Sequence, residues 1–113
     1  MVNSRPMRQR EQQIISVLLS RAHLQQVVDR RWRDWLVVEL DDGGMGSLRF
    51  VRDDVVGALK IVAEVEFADT DGVLVSVALL ADKRRQPAEL DVFKVDFSPL
   101  IALPDFSASD NFQ

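Results

Sequence analysis

The apolar positions of the chain follow two regimes. Between residues 7 and 22 they recur at spacings of three and four. Ile14, Ile15, Leu18, Leu19 and Ala22 share one stripe, with Arg10, Gln13, Ser16 and Arg21 off it. This predicts an N-terminal helix, and Pro6 suits its first turn, where a missing N–H costs nothing. Leu24, Val27 and Val28 land on the opposite side of that helix, so a break is expected near 21–23, with a helical turn over 24–29. An unbroken helix to Arg31 is the other option. From residue 35 the period becomes two, the period of a half-buried strand. Strands are expected over 35–40 (with Leu36, Val38 and Leu40 inward), 47–51, 59–68, 73–82 and 89–97.

The stretch 59–82 is the longest apolar segment, and the rest is organised around it. Leu59, Ile61, Ala63, Val65 and Phe67 alternate with Lys60, Val62, Glu64, Glu66 and Ala68. After Asp69, Thr70, Asp71 and Gly72, the residues Val73, Val75, Val77 and Leu79 alternate with Leu74, Ser76, Ala78 and Leu80. The aspartates bond their own backbone and Gly72 takes a left-handed conformation, so the segment reads as a hairpin. The expected fold is α+β, an N-terminal helix packed on a five-strand antiparallel β-meander in sequential order. Residues 1–113 form one domain, with 1–6 and 105–113 frayed.

Composition narrows the class. At 47% apolar and 28% charged residues, the chain is an ordinary globular domain. No apolar run approaches the roughly 20 residues that span a bilayer, and residues 1–13 lack the apolar core of a signal peptide. A cytoplasmic location without membrane contact is expected. The absence of cysteine excludes disulfides and thiolate chemistry. Net charge is −4, yet residues 1–33 carry seven basic against two acidic residues and the remainder seven against sixteen. A basic helix thus precedes an acidic sheet. The two attract within the monomer, or the acidic face meets a basic partner.

Candidate chemistry is sparse. Arg30, Arg31 and Arg33 interleave with Trp32 and Trp35, a pattern that grips single-stranded nucleic acid by phosphate contact and stacking. The acidic remainder opposes this, and tryptophans closing the core explain the pattern better. The loop Asp41, Asp42, Gly43, Gly44, Met45, Gly46 is glycine-rich, but a strand follows it instead of a helix, and its aspartates repel phosphate. His23, the single histidine, has no nucleophile or metal partner nearby in sequence. Asp69, Thr70, Asp71 and Gly72 resemble the start of a calcium loop without its distal glutamate. Paired carboxylates (Glu89 with Asp91, Asp53 with Asp54) do acid–base work only where burial splits their pKa values. No cofactor, metal or catalytic residue is assigned.

Three segments carry a resemblance: DDGGMGSLRF (41–50), ADTDGVLVSVALLAD (68–82) and ELDVFKVDFSPLIALP (89–104). They look like the motifs of a small uncharacterised bacterial family, a domain of unknown function built as a helix followed by a β-meander. Where that pattern has a tryptophan near the last strand, this chain has Phe93. The resemblance implies a fold and no catalytic residues. Size and acidic sheet also resemble the immunity proteins of bacterial toxin systems, at the level of fold analogy only.

One helix on five strands leaves a sheet face uncovered, which makes a non-enzymatic protein-interaction module the leading expectation. Its partner is a second copy or a basic protein such as a toxin. Val62, Leu74 and Leu80 are the expected centre, with Glu64, Glu66 and Asp82 as rim. The alternative is a small enzyme or small-molecule binder sited at Asp41, Asp42, Gly43, Gly44 and Gly46 with the strand end 93–99.

Overall fold

In the computed structural model, which describes residues 3–106, one helix lies across one face of a six-strand antiparallel sheet. The order is β1 (Ser4–Pro6), α1 (Gln9–Arg21), a 3-10 turn (Trp32–Asp34), β2 (Leu36–Glu39), β3 (Leu48–Phe50), β4 (Lys60–Ala68), β5 (Leu74–Ala81) and β6 (Pro87–Lys94).

The helical stripe packs as its spacing requires. Ile14, Ile15, Leu18 and Leu19 are buried in one cluster with Val65, Val75, Val77, Leu79, Leu90 and Val92. Glu11 secures the helix start, its carboxylate accepting the Arg8 N–H at 2.7 Å and two bonds from Arg5 at 2.9 and 2.8 Å. The helix stops where the stripe breaks. His23 takes φ 57°, and the Leu24 N–H turns back to the Leu19 carbonyl. A helical turn follows, with the Val27 and Val28 N–H groups on the Leu24 carbonyl, and it buries Leu24 and Val28. Leu18 has no exposed surface. Leu18→Ala should therefore cost roughly 2–5 kcal/mol, seen as a lower urea midpoint at unchanged slope.

Three expectations are corrected. Residues 4–6 are a strand, not a frayed end: Arg5 pairs with Val37 and Pro6 with Leu36, and α1 starts later, at Gln9. The sheet has six strands in the order β1-β2-β3-β6-β5-β4, so sequential order fails after β3. The connection 51–59 carries the chain to the far edge, and β6 fills the gap between β3 and β5. The strands explain this. β5 and β6 bear unbroken inner rows (Val75, Val77, Leu79; Leu90, Val92) and gain by being flanked on both sides. β4 alternates in Glu64 and Glu66 and carries a bulge at Val62, features that suit an edge. Finally, β2 has the opposite phase: Val37 is buried, while Leu36 is exposed. Apolar residues occupy both parities of WLVVEL, and pairing of Val37 with Phe50 decides between them.

The tryptophans close the core. Trp32 is buried under the Arg33 guanidinium, 4.4 Å from its ring centre, and Trp35 meets Phe50 edge-on at 5.5 Å. At the other terminus Phe106 is buried edge-on against Phe67, so order extends past residue 105; the expectation for 107–113 lies outside the described residues.

Candidate functional site

Lys94 ends β6 on the inner face with no exposed surface. Its ammonium donates to Asp69 Oδ2 at 2.8 Å, Asp71 Oδ2 at 2.7 Å and the Pro99 carbonyl at 3.2 Å, using all three protons. The Asp69 carboxylate also accepts the Thr70, Ile101 and Ala102 N–H groups. Burial penalises its charge, but Ile101, Lys94, Thr70 and Ala102 together outweigh that and hold it well below the usual carboxylate range. The two aspartates that resemble a calcium loop thus hold an ammonium from their own chain. The cluster clamps the segment after β6 across the end of the central hairpin. Gly72 closes that hairpin at φ 81°.

The glycine-rich loop is likewise satisfied from within. Asp42 accepts the Met45 N–H at 3.1 Å and the Ser47 N–H at 2.9 Å. Burial opposes its charge, but bonds from Ser47, Met45 and Gly46 hold its carboxyl low. Two N–H groups of the loop are thus already bonded to a carboxylate of the same chain. Gly44 (φ 81°) lies so near Pro99 that a Cβ would be 3.2 Å away, and its carbonyl accepts the Leu100 N–H at 3.0 Å. Asp41 and Gly43 are exposed at the loop tip. Beside the loop, a cleft of about 370 Å³ runs past Arg5, Glu11, Glu39, Asp42 and Gly46 to Leu100. Its polar groups face one another: Arg5 bridges Glu11 and Glu39, and Arg10 donates to the Leu103 carbonyl.

The outer sheet face differs in kind. Ser76 pairs with Phe93 and Glu66, Ala78 with Asp91 and Glu64, Leu80 with Glu89 and Ile61, so these side chains share the face opposite α1. Leu74 and Val95 adjoin them, joined by the bond from Val95 N–H to the Leu74 carbonyl. Phe97 reaches back onto Phe93, ring centres 5.3 Å apart and nearly perpendicular. Leu74, Phe93, Val95 and Phe97 are all exposed, and at 70% Phe97 is the most exposed large apolar side chain among the described residues. It also sits at φ 65°, a region that side-chain-bearing residues avoid. Carboxylates surround the patch: Glu64, Glu66, Asp91 and Asp96 are exposed. Burial and then the Asp42 charge raise the Asp91 carboxyl; burial and then Asp91 raise Glu89. Burial is the larger cause of both shifts, and Arg49 opposes the rise at Glu89.

The expected site residues divide accordingly. Leu74, Leu80, Glu64 and Glu66 lie on this face. Val62 does not: as the extra residue of the β4 bulge it turns inward and packs against the core, and Ile61, 56% exposed, faces out instead. Asp82 is no rim residue either. It is buried in the β5–β6 turn, accepting bonds from Arg52 and the Val56, Arg84 and Gln86 N–H groups. The sequence reading missed Phe93, Val95 and Phe97 as a patch. Their alternation with Lys94 was visible, but not which parity faces the helix.

No helix among the described residues is long and apolar enough to cross a membrane. No curated protein and no solved structure matches the chain. A family model does match, over residues 4–104, which takes in both the clamped strand end and the glycine-rich loop, and the chain belongs to that family, the domain of unknown function DUF6984.

Proposed function

We propose that the chain is a non-enzymatic protein-binding module whose docking surface is the outer sheet face, centred on Leu74, Phe93, Val95 and Phe97. The observation that carries this reading is an aromatic side chain held 70% exposed at a left-handed φ, beside a second aromatic and within a ring of carboxylates. Aromatic centre and polar rim are the anatomy of a protein interface. The partner we infer is a basic protein. A face-to-face homodimer would bring two carboxylate-rich faces together, each with the cation Arg49 beside Glu89, and such like-charge crowding opposes association. Neutralisation of a basic toxin is one role of this kind, and a toxin gene beside this one would point to it. The alternative site by the glycine-rich loop has a cleft, but its charged groups are spent on each other.

Leu74→Lys tests the reading. A charge in the centre of such an interface is desolvated and unpaired, so capture of the partner should fall at least about tenfold. The free chain should melt within about 0.5 kcal/mol of the parent, because the side chain is 42% exposed. Glu66→Gln should slow association and weaken its salt dependence. Unfolding of the lysine variant, or binding unaffected by it, would count against this surface.

A further inference from the structure

We infer that the end of the molecule formed by the β5–β6 turn and the segment 27–31 is a second docking surface, for an acidic segment of a partner protein. Arg30, Lys83, Arg84 and Arg85 are exposed there, and their side chains have no hydrogen-bond or ion-pair partner among the described residues. Arg31 adds a weak pair to Asp34 at 3.7 Å, and Lys60 enters β4 opposite Ala81. Several other cations are engaged: Arg5 with Glu11 and Glu39, Arg52 with Asp82, Lys94 with Asp69 and Asp71; Arg49 is exposed on β3 beside Glu89. In a chain of net charge −4, four exposed cations without a bonded partner among the described residues, Arg30, Lys83, Arg84 and Arg85, gather at this end.

That end is also rigid. The Gln86 side chain staples the two loops together, its amide donating to the Val27 carbonyl at 2.9 Å and accepting the Asp29 N–H at 2.9 Å. Asp82 fixes the turn from beneath through the Arg84 and Gln86 N–H groups. At the tip Arg85 adopts φ 65°, where glycine would be unstrained. The turn accepts that strain and presents a guanidinium, a pattern found where a side chain is kept for contact.

Anion geometry selects the occupant. Guanidinium groups pair with carboxylates in two-point contacts, so a short acidic segment satisfies them. A nucleic acid fits less well, because its charge continues beyond the patch and along β6 it would meet Glu89 and Asp91. The two long dimensions of the molecule, 38 and 37 Å, are several times the ~10 Å screening length at moderate salt, so the aspartates at the far end of the central hairpin act weakly here and the nearest exposed opposing charge is Asp29.

Fluorescence anisotropy with a labelled oligoglutamate peptide tests the inference. The parent chain should bind it in a salt-sensitive way, and the double variant Arg84→Glu, Arg85→Glu should weaken binding about tenfold or more. Arg8→Glu, an exposed change at the N-terminal end, should leave it unaltered. Arg85→Gly should raise the melting temperature by roughly 4 °C through relief of strain while weakening the peptide. Equal loss in the Arg8 variant, a rise in melting temperature without loss of binding, or tighter binding of a labelled single-stranded oligonucleotide would each overturn the inference. So would self-association abolished by the double variant, since the occupant would then be a second copy.

Discussion

Asp69→Ala is expected to cost roughly 3–5 kcal/mol, several times the effect of a surface substitution. The change leaves the buried Lys94 ammonium with a partly exposed carboxylate, Asp71, and one carbonyl, and it frees the Ile101 and Ala102 amides. Denaturant unfolding should show a lower midpoint, and amide exchange should quicken first at Ile101 and Ala102. Asp71→Ala should cost less, because 37% of that side chain already lies in water. The cluster also sets the acid limit. The folded Asp69 carboxyl titrates well below its ordinary 3.8, so its stabilisation is complete above that value and is lost as pH falls from there through the lower folded value. Glu11 and Asp82 are lowered too, against the opposing effect of burial, by Arg5 and by the Gln86 N–H with Arg52 respectively, and they act with the same sign. Glu89 and Asp91 are raised, so protonating them relieves a cost of the folded state as pH approaches 4.5 and 3.8. Stability should therefore fall steeply below about pH 4, after a small rise as Glu89 and Asp91 protonate. In Asp69→Ala the steep limb should flatten; an unchanged acid limb would show that other carboxylates control it.

How much of this was legible depended on whether the determinant was local. The helix and its break were, because the stripe ends at Ala22 and resumes on the wrong side at Leu24. The central hairpin was, because Gly72 follows two aspartates between clean alternations. Strand order was not: nothing local says that β6 pairs with β3, since the decision rests on which strands gain most from two neighbours. Pattern alone could not fix Val62, as a single bulge residue moves it across the sheet while Val65 and Phe67 keep their phase. The role of Lys94 was not legible for a related reason. It shares a parity with Leu90 and Val92, which marks it as inward, yet a lysine there makes sense only once Asp69 and Asp71 are known to face it. Asp82 reads as a solvated turn residue until Arg52, thirty residues earlier, is placed upon it. The β1 strand escaped notice because three residues carry no period.

Phe97→Gly is expected to leave the fold nearly unchanged and to remove most of the partner affinity. Two contributions to stability oppose each other. Glycine relieves the left-handed strain at φ 65°, worth on the order of 1 kcal/mol, while loss of the edge-on contact with Phe93 costs about 0.5–1.5 kcal/mol. The melting temperature should move little. Phe97→Ala keeps the strain and loses the ring, so it should melt lower than both the parent and the glycine variant. Binding should rank differently. If the ring is an anchor of the proposed interface, either truncation removes the same contact and should cost about 2 kcal/mol or more, a loss of roughly thirtyfold. The turn itself is held by other bonds, the Phe97 N–H on the Lys94 carbonyl and the Ser98 N–H and hydroxyl on Asp96, so glycine need not loosen it. Calorimetric melts beside titration against the captured partner separate the two effects. Equal affinity in all three chains would mean that the strained phenylalanine is not part of the interface. A glycine variant that binds as the parent does, with alanine weaker, would mean that conformation of the turn, not the ring, is what the partner reads.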